Sequence, residues 1–480
     1  MKNKKIVLLL GILPLTLALL SACNSQSQVS ASIKEQQISE AELDSRLLAL
    51  IKSHQLTGKP VADHPIPDIS SPKAQLGMKL FYTKTLGGDN TTACATCHHP
   101  MLGGGDNLSL SIGTDSKKPD VLGSQRRMIM DKHPGVPRNA PTTFNIAFWK
   151  KALFHDARIE RISDTEIHTP DVSYPKADSL AGETLVQAQA RFPITSPDEM
   201  RGNYLDKSYN QTLRRALASR LKKNWLNEFR LGFNAPKGSA EDLITEQNFS
   251  AAIADYERSQ VFINTPWKSY IEGDKQALSV SAKKGALLFY ASQDQGGAGC
   301  ASCHSGDFFT NELAYNTAMP QIGPGKNVGV TGTNDYGCYE VTQKEDDKFQ
   351  FRTPTLLNVE VTGPWGHNGA YTSLEAITQH MLAPVESAKA YQTDQIKQQG
   401  IDITDVKKNT QEAINANVDI IRKETVDKKD VKHLVSFLKS LTDPCVKDRA
   451  CLSKWIPNKN DNDPDGLMLH ARGSEDGKLL

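Results

Sequence analysis

A mainly α fold built twice over is what this sequence predicts. A short apolar segment followed by a Cys-x-x-Cys-His loop occurs at two places, and strand-like alternation of apolar and polar residues is scarce. The first copy runs Gly77-Met-Lys-Leu-Phe-Tyr82 and then Cys94-Ala-Thr-Cys97-His98; the second runs Gly285-Ala-Leu-Leu-Phe-Tyr290 and then Cys300-Ala-Ser-Cys303-His304. In each, the Leu-Phe pair ends a short helix that delivers the chain to the loop. Ser71-Pro72 supplies a cap and a first-turn proline for the first helix, and Ser281 caps the second.

Between the copies, Phe249, Ile253 and Tyr256 share one helical face and Pro266 follows shortly after, so the domain boundary falls there. Near the end, Val431, Leu434, Val435, Leu438 and Leu441 form a one-sided helix that must dock on an apolar surface, with the first domain as one candidate. The expected organisation is a leader over 1–22, a tether over 23–65, an N-terminal domain over 66–262, a C-terminal domain over 263–445 and a tail over 446–480. Tether and tail are so read because they have little periodicity.

The opening MKNKKIVLLLGILPLTLALLSAC joins lysines to an apolar run too short to span a bilayer, then to small residues before Cys23. That pattern marks export, with Cys23 as the lipidated first residue of the mature chain. A bacterial periplasmic location follows, anchored to the outer membrane because Asn24 rather than an aspartate comes next. The net charge of +1 falls to −2 once Lys2, Lys4 and Lys5 leave with the leader, so no basic excess points to nucleic acid. Of the eight cysteines, Cys23 and the four of the loops leave Cys338, Cys445 and Cys451. Cys445 and Cys451, six apart, suit a disulfide in an oxidising compartment, which leaves Cys338 buried and reduced.

In a Cys-x-x-Cys-His loop the two thiols form thioethers to haem vinyl groups, and the adjacent histidine becomes the proximal iron ligand. Cys94, Cys97 and His98 therefore predict one covalently attached c-type haem, and Cys300, Cys303 and His304 a second. The fold class becomes two cytochrome c-like haem domains from a duplication, mainly α. The sixth ligand then decides each haem's role. A methionine or histidine suits electron transfer, whereas an open position admits a small ligand.

The ordered motifs CATCHHPMLGGGDNLSLSIG, VPRNAPTTFN, FHDAR, PITSPDEM, CASCH, FRTPTLLNV, GPWGHNGAYTSLEAITQHM and HLVSFLKSLT, across roughly residues 66 to 443, resemble those of the bacterial dihaem cytochrome c peroxidases, with MauG-like enzymes as cousins. The resemblance implies that the haem of His98 is peroxidatic and that the haem of His304 receives electrons from a small cytochrome c or cupredoxin. It implies that Met381, fourteen residues after His367 and on one face with Leu374 and Ile377, is the axial ligand of the second haem. Met319 and His380 are the fallback ligands. Glu199 matches the distal glutamate that moves a proton between the two oxygens of hydrogen peroxide. Asn139 by its side chain, with Thr362 and Pro364 by their carbonyls, matches a calcium site between the domains. A homodimer is implied as well.

The chain departs from the family at two places. Thr114 stands where classical members carry a histidine that blocks the peroxidatic iron, so either that haem is open, as in MauG-like enzymes, or His133 or His99 serves instead. His155 stands where the family keeps a tryptophan between the haems, and neither Trp149 nor Trp365 occupies that position. The leading expectation is a cytochrome c peroxidase. A MauG-like oxidase of a protein or organic substrate is the first alternative, and a non-enzymatic dihaem electron carrier or sensor is the second.

Overall fold

The computed structural model describes residues 38–129, 133–420 and 427–480. The leader and the lipidation cysteine, Cys23, lie outside the described residues. Residues 46–480 form one compact unit; the few described residues before Arg46 open the helix α1 (Glu40–Ser53).

Helices dominate and strands are short. One antiparallel sheet joins Ala152–Leu153, Ile159–Arg161 and Ile167–His168, and a second pairs Ala314–Tyr315 with Phe351–Arg352. The mainly α expectation holds. Five further helices carry the argument: α2 (Pro72–Tyr82), α3 (Glu246–Arg258), α4 (Val280–Tyr290), α5 (Leu374–Leu382) and α6 (Lys428–Lys439).

Two apolar cores, the largest among the described residues, lie within the larger unit. In the first, Leu76, Phe81 and Tyr82 of α2 pack with Phe249, Ile253 and Tyr256 of α3. In the second, Ala286, Phe289 and Tyr290 of α4 pack with Val431, Leu434, Phe437 and Leu438 of α6. Each pair crosses at a glycine. A Cβ on Gly77 would stand 1.9 Å from the Ala252 carbonyl oxygen, and a Cβ on Gly285 would stand 1.9 Å from that of His433. Any side chain at either position would force the helices apart.

Local chemistry explains the helix starts. Ser71 Oγ accepts from the Ala74 amide and Pro72 fills the first helical position of α2. Thr245 and Ser373 cap α3 and α5 in the same way. The cap of α4 is Ser279, not Ser281, whose hydroxyl instead meets His433 Nδ1 at 2.9 Å on α6.

Three segments differ from expectation. The stretch read as a tether contains α1, whose Leu47 and Ile51 are buried in the second core, and beyond it the Thr57 and Gly58 amides donate to Asp307 at 2.9 and 2.8 Å. The one-sided helix near the end, α6, packs on α4 rather than on the first core. The stretch read as a tail is docked: Met468, Leu469 and Ala471 enter the first core, and Asp465 accepts from Trp225 Nε1 (2.7 Å), Thr85 Oγ1 (2.8 Å) and Asn224 Nδ2 (2.6 Å). Main-chain and single-carboxylate anchors leave no periodic signal, which is why this docking is invisible to pattern reading. Cys445 and Cys451 are joined in a disulfide, and Cys338 is a buried free thiol. Among the described residues no helix is long and apolar enough to cross a membrane.

Candidate functional sites

Each Cys-x-x-Cys-His loop opens onto a cavity. The first, of about 580 Å3, is lined by Cys94, Cys97 and His98 together with Phe81 of α2 and Ile253 of α3. The second, of about 250 Å3, is lined by Cys300, Cys303 and His304 together with Phe289 of α4 and Leu434 and Leu438 of α6. The helix pairs of the two cores thus wall the two cavities.

The ring nitrogens of both histidines are sorted in the same way. His98 Nδ1 donates to the Gly104 carbonyl at 3.2 Å, and His304 Nδ1 meets the carbonyls of Phe309 and Pro354, each at 3.1 Å. A ring that donates through Nδ1 keeps the Nε2 lone pair for a metal. Burial favours the neutral ring at both positions, pushing the His304 pKa down to about 4 and that of His98 below its usual value. Burial holds the thiols of Cys94 and Cys97 well above the usual range. Two thiols and one imidazole lining each cavity form the donor set that a c-type haem requires, so these residues fit that group.

Glu199 lines the first cavity. It sits on a π-helical turn, Pro197–Arg201, a local irregularity that often marks functional positions. The turn is pressed against the segment containing Gly113, where a Cβ would stand 2.3 Å from the carbonyl oxygens of both Asp198 and Glu199. Burial raises the Glu199 pKa, against the opposing charges of Arg158 and Lys326, which line the same cavity. The carboxyl is thereby suited to hold a proton and release it.

Thr114 is a structural neighbour of that turn. Its hydroxyl donates to the Pro197 carbonyl at 3.1 Å and its amide to the Asp198 carbonyl at 3.2 Å. Neither substitute for a blocking histidine lines the first cavity. His133 is exposed, with Nδ1 at 2.7 Å from the Gly400 carbonyl. His99 is fully buried, accepts from the Met101 amide through Nδ1 and packs edge-on against Tyr82.

Met381 lines the second cavity with Leu374 and Ile377, the face expected of α5. Met319 lines it too. His380 does not: both its nitrogens are engaged, Nε2 with the Thr317 carbonyl at 2.9 Å and Nδ1 with the Tyr371 hydroxyl at 2.8 Å. Trp149 lies in the wall of this cavity, buried beneath the Arg352 guanidinium at 3.5 Å.

Asn139, Pro141 and His155 belong to the walls of both cavities. His155 Nε2 donates to the Asn139 carbonyl at 3.0 Å, and burial, reinforced by Arg138 and Arg352, lowers its pKa to about 4. It is a neutral ring between the two sites. The Asn139 amide Nδ2 donates to the carbonyls of Leu108 (2.8 Å) and Ser109 (3.3 Å), and Thr362 and Pro364 join Asn139 in the wall of the second cavity.

Sequence reading missed two features here. Arg138 is buried between Asp156 and Asp335, with Nε 2.6 Å from the latter, so one cation ties the FHDAR segment to the second half. Arg138 and Asp156 stand inside quoted motifs, but the pairing is long-range and has no local signature. The second is Glu257 of α3, buried in the wall of the first cavity.

The sequence profile of the di-haem cytochrome c peroxidases matches residues 71–276. MauG of Methylorubrum extorquens is 29% identical over 66% of this chain and 71% of its own. The cytochrome c551 peroxidase of Pseudomonas aeruginosa is 27% identical over 64% of this chain and 70% of its own.

Over these stretches the chain is similar to the di-haem cytochrome c peroxidases and MauG.

The chain is an oxidoreductase of the peroxidase class, as its named relatives support, and the similarity implies haem as its cofactor. Solved structures agree on the fold. A MauG-like protein associated with microbial copper homeostasis superposes with a TM-score of 0.52 at 21% identity, over 82% of this chain and 97% of that one. A variant of the diheme peroxidase BthA from Burkholderia thailandensis gives 0.52 at 19%, over 82% of this chain and 93% of that one.

Proposed function

We propose that this protein is a dihaem peroxidase that reduces hydrogen peroxide to water, using electrons from a small periplasmic cytochrome c or cupredoxin. The reading rests above all on Glu199, a buried carboxyl in the wall of the cavity that also holds Cys94, Cys97 and His98. Haem, bound covalently at the two loops, supplies a peroxide-reducing iron at the first site and an electron relay at the second. Cys94 and Cys97, and likewise Cys300 and Cys303, would form the thioethers, His98 and His304 would hold the iron through Nε2, and Met381 would close the second site. In the first, a Glu199 carboxylate oxygen accepts the proton of one peroxide oxygen and returns it to the other as the O–O bond breaks. Two electrons and two protons convert one peroxide to two waters. Arg158 and Lys326 oppose the effect of burial on Glu199 and keep its proton exchangeable.

A second reading, a MauG-like oxidase of a protein or organic substrate, is favoured by one observation. Thr114 replaces the blocking histidine, and neither His133 nor His99 lines the first cavity. Both readings share the machinery and differ in what supplies the electrons.

The finer organisation follows the same reading. The α2–α3 and α4–α6 pairs are two copies of one haem-binding unit, divided near residue 262. Asn139, Thr362 and Pro364 would hold a calcium ion between the copies. Cys23 carries lipid that tethers the mature chain to the outer membrane on its periplasmic side.

The test is peroxide consumption with a reduced small cytochrome, alongside optical and EPR spectra of the oxidised and half-reduced holoprotein. Donor-dependent turnover with an open first haem supports the peroxidase. A low-spin first haem in every state, with no turnover, overturns it.

A further inference from the structure

Glu257 stands in the wall of the first cavity at the end of α3, one residue beyond the core tyrosine Tyr256. It is 4% exposed, and its Oε2 has no hydrogen-bond partner among the described residues. A buried carboxyl left without a partner is costly, and it is cheapest when protonated. Among the described residues no ion pair relieves it. Of the cations in the cavity wall, Arg158 and Lys326 act on Glu199 and Arg138 is paired with Asp156 and Asp335, while Arg258 of the same helix pairs with Asp255. The titratable groups that feel Glu257 are Cys94, which also feels Glu199, and Tyr256, whose hydroxyl donates to the Trp455 carbonyl at 2.7 Å. Burial alone pushes the Glu257 pKa up to about 8.

From this placement we infer that Glu257 is a redox-linked proton site: it binds one proton on Oε2 when the first haem gains one electron, and gives it up when that haem is oxidised. An oxidised haem iron adds positive charge beside the carboxyl and favours its anion; reduction removes that charge and favours the acid. The electron comes from the donor through the second site, and the proton comes from solvent. The carboxylate becomes a carboxylic acid as the iron passes from ferric to ferrous, so the local charge is unchanged. Glu257 would thereby bring into the cavity, with the electron, one of the two protons that peroxide reduction consumes.

This inference rests on the assignment of a haem to the first cavity, and its test does not require turnover. The midpoint potential of the first haem in the holoprotein is followed spectroelectrochemically from about pH 6 to about pH 9, the range around a raised carboxyl pKa. The wild-type potential is expected to fall as pH rises, and that of Glu257→Gln to stay level near the wild-type low-pH value, with the optical spectrum unchanged. A level wild-type potential, or the wild-type slope retained in Glu257→Gln, overturns the inference. Should Glu257→Gln fail to assemble haem, proton uptake by the wild type on reduction, read with a pH indicator, decides the matter, and zero uptake is fatal. A sloping potential without peroxide turnover would keep Glu257 and remove the peroxidase reading; turnover with a level potential would do the reverse.

Discussion

Replacing Gly113 by alanine should cripple the first site without touching a residue of its wall. The added Cβ would stand 2.3 Å from the carbonyl oxygens of Asp198 and Glu199 and 2.8 Å from Glu199 Cα, about 1 Å short of ordinary contact. All three obstacles are backbone, so no side chain can swing aside. Gly113 has no positive φ that would penalise alanine for itself, which leaves the clash as the whole effect. Retreat of the π-helical turn is opposed by the Thr114 hydroxyl bond to Pro197 and the Thr114 amide bond to Asp198. Overpacking of this kind costs about 1–3 kcal/mol. A displacement of about 1 Å in a proton-transfer group lowers turnover on the order of 100-fold. Chemical denaturation reads the first figure and donor-dependent peroxide turnover reads the second, with the second-haem spectrum as a control. Wild-type turnover and stability in Gly113→Ala would refute the placement of Glu199 by this contact.

Met381→Ala should convert the second haem to a weakly ligated form of lower potential, visible in its optical spectrum, and an unaltered spectrum would transfer the ligand role to Met319. His380→Gln should leave that spectrum unchanged, because both ring nitrogens already have partners in Thr317 and Tyr371. The same variant tests a linkage. Burial lowers the His380 pKa to about 4, below the unfolded value of about 6.5, so its neutral form contributes fully above that value and its contribution is lost as pH falls through about 4. The stability advantage of wild type over His380→Gln should therefore shrink by up to about 3 kcal/mol between neutral pH and pH 4, and a constant difference would contradict the burial of this ring. Asp465→Ala should leave Trp225 Nε1 buried without a partner, cost about 1–3 kcal/mol and expose the segment after Trp455 to limited proteolysis; protease resistance equal to wild type would show that this segment is held by other contacts.

The parts of the fold set by short-range chemistry were readable before the structure. The two Cys-x-x-Cys-His loops, the Ser71-Pro72 start of α2, the apolar face of α5 and the Cys445–Cys451 pair all depend on residues within a few turns of one another. What was lost depends on distant partners. Leu47 and Ile51 are four apart, as a helix requires, but polar neighbours hid them until the second core gave them a surface. Ser279 and Ser281 are equivalent candidates for a cap, and only the approach of His433 decides between them. Glu199 was recognisable through the family resemblance alone, since a glutamate in a charged stretch has no signature of its own. Glu257 and the Arg138–Asp156–Asp335 group have meaning only once the chain has folded around the cavities.

The central claim is that Glu199 handles the proton in the cavity of Cys94, Cys97 and His98. Steady-state peroxide reduction by Glu199→Gln, with a reduced cytochrome donor and both haem spectra intact, tests it most directly. The account predicts a loss of turnover of about 100- to 10,000-fold, the usual worth of a positioned acid–base group. An unchanged rate would contradict it.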